Sequence, residues 1–360
     1  MKEIRLMKGN EAIAEAAIRC GVDAYFGYPI TPQSEVMETL MDLRPWESTG
    51  MEVLQAESEV ASINMVYGGA ACGKKVMTSS SSPGISLMQE GLTYLAGAEL
   101  PCLVVNVVRG GPGLGTIQPA QSDYFQAVKG GGHGDYKLIV LAPASVQEMA
   151  DFVELAFDLA FKYRNPAMIL SDGMIGQMME KVELKAFKPR WTNDEIAQMH
   201  PWATTGKPKN RKRNIITSVE LDPLKFEAFN IKLQAKYKAI EEAEVRYEKI
   251  MCDDAEYLFV AYGSSARICR KAVEILREKG IKAGLLRPIT LFPFPSNQLK
   301  ELQPQLKGIL AVELSMGQMV EDVRLSVDSK LKVEHFGRAG GAIFSPEEVA
   351  EALEAKIIGG

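Results

Sequence analysis

The stretch Leu100-Pro101-Cys102-Leu103-Val104-Val105-Asn106-Val107-Val108 is almost unbroken hydrophobic sequence, and it stops abruptly at Arg109-Gly110-Gly111. A strand with one wet face alternates apolar and polar residues, so a continuous run of this kind reads as a strand covered on both faces. Such strands belong to parallel sheets, and the rest of the chain must then supply helices for both sides. Residues 1–185 do so. Helical spacing is read over 10–17, 33–43, 85–96 and 145–163, and over a small-residue segment containing Ala61, Met65, Gly68, Gly69 and Ala70. Short apolar runs at 24–27, 51–55, 75–78, 137–141 and 167–170 fall between them. The expectation is an α/β fold with a doubly wound parallel sheet.

In such a sheet, ligands bind at the carboxyl ends of the strands. Three strand-to-helix turns bear chemistry there. Tyr28-Pro29-Ile30-Thr31-Pro32-Gln33 is stiffened by its prolines, and Thr31 is expected to cap a helix whose first residue is Pro32. Ala56-Glu57-Ser58-Glu59 offers two carboxylates at the start of the small-residue helix, where the macrodipole favours negative charge. Arg109 opens a glycine-rich loop, and Ser79-Ser80-Ser81-Ser82-Pro83-Gly84 is expected to form a polar loop beside it. Rival patterns are poorer: Gly111, Gly113 and Gly115 lack dinucleotide-fingerprint spacing, no Walker loop is present, and Ser82 does not complete a nucleophile elbow.

The rhythm is lost over 182–214, a stretch rich in Pro, Lys and Trp. Its basic run from Lys207 to Arg213 is read as a solvated loop, because it lacks interleaved aromatics in a chain of net charge -5. Asp222 and Pro223 then start a helix whose apolar stripe is traced through Phe226, Phe229, Leu233, Tyr237, Ile240, Tyr247 and Ile250. From Tyr257 strands and helices alternate again, which gives a second, smaller parallel sheet. The expected division is 1–185, a linker with one amphipathic helix over 186–250, and 251–360.

The acidic balance argues against a nucleic-acid or anionic-membrane partner. No apolar run is long enough to span a bilayer and the first residues lack a secretory pattern, so the expected location is cytoplasmic. Cys20, Cys72, Cys102, Cys252 and Cys269 include no close pair, and His133, His200 and His335 lie far apart, so disulfides, iron–sulfur clusters and zinc are not expected in this chain.

Taken together, Tyr28-Pro29-Ile30-Thr31-Pro32, Gln55-Ala56-Glu57-Ser58-Glu59, Ser80-Ser81-Ser82-Pro83-Gly84 and Val108-Arg109-Gly110-Gly111-Pro112 resemble the α subunit of 2-oxoacid:ferredoxin oxidoreductases. Ala283-Gly284-Leu285-Leu286-Arg287-Pro288, followed by Phe292-Pro293, resembles the transketolase-C-terminal-like domain of that family. The resemblance implies that 1–185 binds the pyrimidine of thiamine diphosphate and that Glu59 hydrogen-bonds a pyrimidine nitrogen. Glu57 is the less favoured carboxylate, because two residues of helix separate the side chains by about 200°. Tyr28, Pro29, Ile30, Ser82, Pro83 and Gly84 would border the cofactor. Thr31 and Arg109 would contact the substrate, with His133 nearby, since an arginine fork suits a carboxylate and a hydroxyl can donate to it.

Thiamine enzymes usually bind magnesium through a Gly-Asp-Gly motif with a later asparagine, and this chain has only Ser171-Asp172-Gly173. The resemblance therefore places the diphosphate and Mg²⁺ grip in a partner β subunit, and the iron–sulfur clusters in γ and ferredoxin-like partners that pass electrons to ferredoxin. Coenzyme A is the implied co-substrate. The loop Gly113-Leu114-Gly115-Thr116-Ile117-Gln118-Pro119 resembles members acting on branched-chain 2-oxoacids such as 3-methyl-2-oxobutanoate. Pyruvate or 2-oxoglutarate as substrate, a non-catalytic assembly subunit and a dinucleotide-binding oxidoreductase stand as alternatives.

Overall fold

The computed structural model describes residues 3–207, 209 and 212–359. In chain order the first elements are β1 (Glu3–Lys8), α1 (Gly9–Arg19), β2 (Ala24–Gly27), α2 (Ser34–Leu43), the single turn α3 (Pro45–Ser48), β3 (Glu52–Gln55), α4 (Glu59–Ala71), β4 (Val76–Ser80), α5 (Ser82–Gly97) and β5 (Leu103–Val108). There follow β6 (Ile139–Leu141), α6 (Val146–Tyr163), β7 (Ala167–Asp172), α7 (Gly173–Gln177), β8 (Met179–Leu184), α8 (Asn193–Met199) and α9 (Pro223–Ala243). The last part holds β9 (Tyr247–Ile250), β10 (Tyr257–Val260), α10 (Gly263–Glu278), β11 (Ala283–Pro288), β12 (Thr290–Phe292), α11 (Ser296–Leu302), β13 (Gly308–Glu313), α12 (Met319–Leu325), β14 (Val333–Gly337) and α13 (Pro346–Leu353).

β5 is buried at every residue, as its nearly unbroken hydrophobicity requires, and it lies at the centre of a seven-stranded sheet of order β12-β6-β7-β5-β4-β2-β3. All pairs in that sheet are parallel except β12 with β6. α1 packs on α2 and α6, while α4 packs on α5. The second sheet has five strands, order β14-β13-β10-β11-β9. One apolar core runs from the first sheet through Leu233, Tyr237 and Ile240 of α9 to Leu258 and Val260 of β10, and a second core lies between α10 and α13.

Several expectations change. Ser79 and Ser80 belong to β4, so the polar turn begins only at Ser81. Thr31 does not cap α2: the Gln33 amide donates to the Ile30 carbonyl at 3.0 Å, which closes a turn and delays the helix to Ser34. The rhythm thought lost after Val182 is partly present, because β8 pairs antiparallel with β1 and α8 carries a capping box between Thr192 and Glu195. α9 ends at Ala243. Tyr247 and Ile250 lie in β9, antiparallel to β11, so the second sheet is mixed. Of the basic run, Pro208, Asn210 and Arg211 lie outside the described residues. Among the described residues no helix is long and apolar enough to cross a membrane.

Candidate active site

Because β2, β3, β4 and β5 are parallel, their carboxyl ends open on one edge. The turn after β2 is held by its carbonyls. Gln33 is fully buried; its Nε2 donates to the Tyr28 carbonyl at 3.1 Å and its Oε1 accepts from Ser79 Oγ at 2.5 Å. The Ser79 hydroxyl also lies 2.7 Å from Tyr25 Oη, in the core. Asn10 Nδ2 and Gln177 Nε2 donate to the Pro32 carbonyl at 2.7 and 3.1 Å, and Arg109 Nη1 donates to that of Thr31 at 2.9 Å. Three gripped carbonyls leave the turn little freedom. Thr31 itself is exposed, with Tyr28 and Ile30 half-buried and Pro29 exposed.

Arg109 comes off the end of β5 and is buried, at 8% exposure. Its Nη2 donates to the Leu114 carbonyl at 3.1 Å, so the guanidinium staples the glycine loop onto the Thr31 turn. Each Nη keeps one further hydrogen, while Nε is buried without a partner. The backbone amide of Arg109 donates to Ser82 Oγ at 3.1 Å, which ties β5 to the first turn of α5. Thr31, Arg109 and Ser82 are thus brought together.

Glu59 is the first residue of α4, whose cap Ser58 accepts from the Ala61 amide at 3.2 Å. It is 7% exposed, yet its carboxylate makes no hydrogen bond among the described residues. It lies against Gly84: a Cβ there would fall 2.7 Å from Glu59 Oε1 and 2.0 Å from Ser80 Oγ, so only glycine fits. Ser80 Oγ and Ser81 Oγ are also buried without partners. Buried polar atoms are nearly always paired, and these lie at one strand-to-helix turn beside an unpaired carboxylate, so the turn presents unpaired polar atoms to a ligand. A flat heteroaromatic ring with donors and acceptors on its edge, such as an aminopyrimidine, fits that set. Glu57 is exposed.

His133 does not join this group. Its ring packs edge-on against Tyr94, with centroids 6.3 Å apart. Tyr94 lies twelve residues along α5 from Ser82, about 18 Å at 1.5 Å per residue. Asp172 is likewise engaged within the fold, where its Oδ1 caps α7 and its Oδ2 accepts from Ser264 Oγ at 2.6 Å; burial pushes this carboxyl above its usual range. Among the described residues no cluster of His, Cys, Asp or Glu could hold a metal ion.

Sequence reasoning missed Gln33, Asn106 and Asp123. Asn106 Nδ2 donates to Asp123 Oδ2 at 2.9 Å, and Asn106 Oδ1 accepts from the Ser82 amide at 3.2 Å. Burial raises the Asp123 carboxyl, and the bond from Asn106 opposes that rise. The one polar residue in the hydrophobic run of β5 was the available signal, since a buried amide in such a strand must be paired. Around the site, Leu54 of the edge strand β3, Val60 of α4 and Leu87 of α5 are exposed at 43%, 44% and 54%.

Residues 15–251 match the family described as pyruvate flavodoxin/ferredoxin oxidoreductase, thiamine diphosphate-binding, and residues 255–349 match pyruvate:ferredoxin oxidoreductase core domain II. The chain is 50% identical over 352 residues, 97% of each chain, to the ketoisovalerate oxidoreductase subunit VorB of Methanothermobacter thermautotrophicus. A solved 2-oxoglutarate:ferredoxin oxidoreductase from Magnetococcus marinus, with 2-oxoglutarate, coenzyme A and succinyl-CoA bound, superimposes with a TM-score of 0.87 at 28% identity. That match covers 99% of this chain and 66% of the other. A split-gene transketolase matches in fold alone, with a TM-score of 0.60 at 12% identity over 98% of each chain.

Proposed function

Since this chain belongs to the pyruvate flavodoxin/ferredoxin oxidoreductase family and is a subunit of a 2-oxoacid:ferredoxin oxidoreductase, we propose that it supplies the pyrimidine-binding half of a thiamine active site. Its substrate is then a branched-chain 2-oxoacid such as 3-methyl-2-oxobutanoate. The observation that carries this reading is Glu59, a residue only 7% exposed whose carboxylate lies against Gly84 without a hydrogen-bond partner among the described residues. Glu59 gives a proton to a pyrimidine ring nitrogen and takes it back, a role that needs a carboxyl group without a competing partner. Ser82, Pro83 and Gly84, with Tyr28, Pro29 and Ile30, would border the ring. When bound, thiamine diphosphate supplies the carbon nucleophile for decarboxylation of the 2-oxoacid.

Arg109 meets the substrate carboxylate with the Nη hydrogens that the Thr31 and Leu114 carbonyls leave over. The Thr31 hydroxyl donates to the carboxylate or keto oxygen, and the gripped turn keeps it within reach. A β subunit supplies the diphosphate and Mg²⁺ grip, and γ and ferredoxin-like subunits carry the electrons to ferredoxin, with coenzyme A accepting the acyl group. In this reading 1–185 is the pyrimidine domain, 186–250 the linker and 251–360 the transketolase-C-terminal-like domain, in a cytoplasmic complex. The branched-chain assignment draws on the name of the VorB relative and on the loop 113–119.

The test is to purify the complex from native extract and assay it with pyruvate, 2-oxoglutarate and 3-methyl-2-oxobutanoate. The highest kcat/KM is expected with the last. A preference for 2-oxoglutarate would overturn the substrate, and recovery without any thiamine-binding partner would overturn the shared site.

A further inference from the structure

Between the loop 113–119 and the short helical turn at Gln126, the five residues 121–125 run along the boundary between the two sheets. Four of them bond to the second sheet and the segments around it. The Gln121 amide donates to the Leu314 carbonyl at 2.8 Å, and its side chain accepts from Ser265 Oγ at 2.6 Å and donates to the Tyr262 carbonyl at 2.9 Å. The Ser122 carbonyl accepts from Gln318 Nε2 at 2.7 Å, and the Phe125 amide donates to Gln318 Oε1 at 2.8 Å. Tyr124 Oη donates to Asp322 Oδ2 at 2.6 Å. Asp123 alone turns its side chain the other way. Its carboxylate accepts from Asn106 Nδ2, Asn106 Oδ1 takes the Ser82 amide, and the Ser82 hydroxyl takes the Arg109 amide and donates to the Arg109 carbonyl.

Gln318 is itself anchored, because its amide donates to Glu313 Oε2 at 3.0 Å. Two sets of hydrogen bonds, joined by the covalent backbone of residues 122–125, therefore lead from Glu313 through Gln318 to that backbone, and from Asp123 through Asn106 and Ser82 to Arg109. Asp123 thus fixes the Asn106 side chain that grips the start of α5 at the Ser82 amide.

We propose that Asp123 is a positioning residue through which the C-terminal unit sets the place of Ser82 and Arg109, and so the affinity for the 2-oxoacid. This rests on the reading of Ser82 and Arg109 as bordering cofactor and substrate. Asp123 touches neither reactant; it acts on the geometry of residues that do. The C-terminal unit thereby takes part in substrate binding without lending a side chain to the site.

In the purified complex, Asp123→Ala is expected to raise the KM for the 2-oxoacid about tenfold while kcat stays within about twofold. Asp123→Asn should restore KM, since its amide oxygen can still accept from Asn106. Gln318→Ala, remote from the cofactor, should raise KM in the same sense, and the double variant should fall short of the product of the two single effects. Amide hydrogen exchange at Arg109 and the first turn of α5 should quicken in Asp123→Ala with or without substrate, which decides the positioning role even if the complex turns over no 2-oxoacid and the functional reading fails. An unchanged KM and unchanged exchange in folded Asp123→Ala, or an Asn variant as impaired as the Ala variant, would overturn the proposal. So would Gln318→Ala with wild-type KM, if Asp123→Ala does not fold.

Discussion

Two glutamates in this chain occupy similar places and have opposite fates. Glu59 lies where the turn after β3 enters α4, and Glu313 ends β13 just before α12; both are buried, at 7% and 0% exposure. Glu313 is saturated: it accepts from the amides of Gln318, Met319 and Val320 at 3.0, 3.0 and 3.1 Å and from Ser315 Oγ at 2.7 Å. Glu59 accepts nothing among the described residues, and the hydroxyls of Ser80 and Ser81 beside it are unpaired as well. The difference teaches that a buried carboxylate signals a ligand only when its neighbours leave it wanting. A satisfied one is part of the frame.

The contrast breaks most directly by exchanging each carboxylate for its amide. Glu59→Gln in the purified complex should lower turnover about 100-fold or more, as loss of a positioned proton donor does. If turnover persists, Glu59 is as structural as Glu313. Gly84→Ala pushes a methyl group into Glu59 and Ser80 and should weaken thiamine diphosphate binding about tenfold, read by titration of the complex. Glu313→Gln should leave that affinity unchanged but cost about 1–3 kcal/mol in unfolding experiments, because an acceptor of several amides is replaced by a donor.

Lys236 sharpens the same distinction with the smallest effect. Burial lowers its ammonium from 10.5 to about 8, against the pull of Glu99. Between those values the unfolded chain binds more protons than the folded one, so this group makes stability rise with pH across the window. Lys236→Met should flatten that rise in denaturation curves taken from pH 8 to pH 10.5, the two ends of the shift.

How much was readable in advance follows from where each signal lies. The run Leu100 to Val108 announced a central strand, and the local motifs around Thr31, Glu59 and Arg109 pointed to one edge of the sheet. Gln33 was not readable, because its role depends on Ser79, which arrives from another strand. Asp123 shows the same difficulty: its partner Asn106 comes from β5, and its neighbours are held by residues two hundred positions further on. The stripe of α9 was extended too far because Tyr247 and Ile250 happen to keep helical spacing after the helix has ended. His133 is expected near Thr31 and Arg109, whereas packing on Tyr94 sets its place.

The central claim is that the unpaired carboxylate of Glu59 handles a proton for the cofactor. Its most direct test is the rate at which the purified complex exchanges the thiamine C2 proton for deuterium, compared between wild type, Glu59→Gln and Glu313→Gln. Exchange should fall about 100-fold or more in Glu59→Gln alone. Equal rates in the wild type and Glu59→Gln complexes would contradict it.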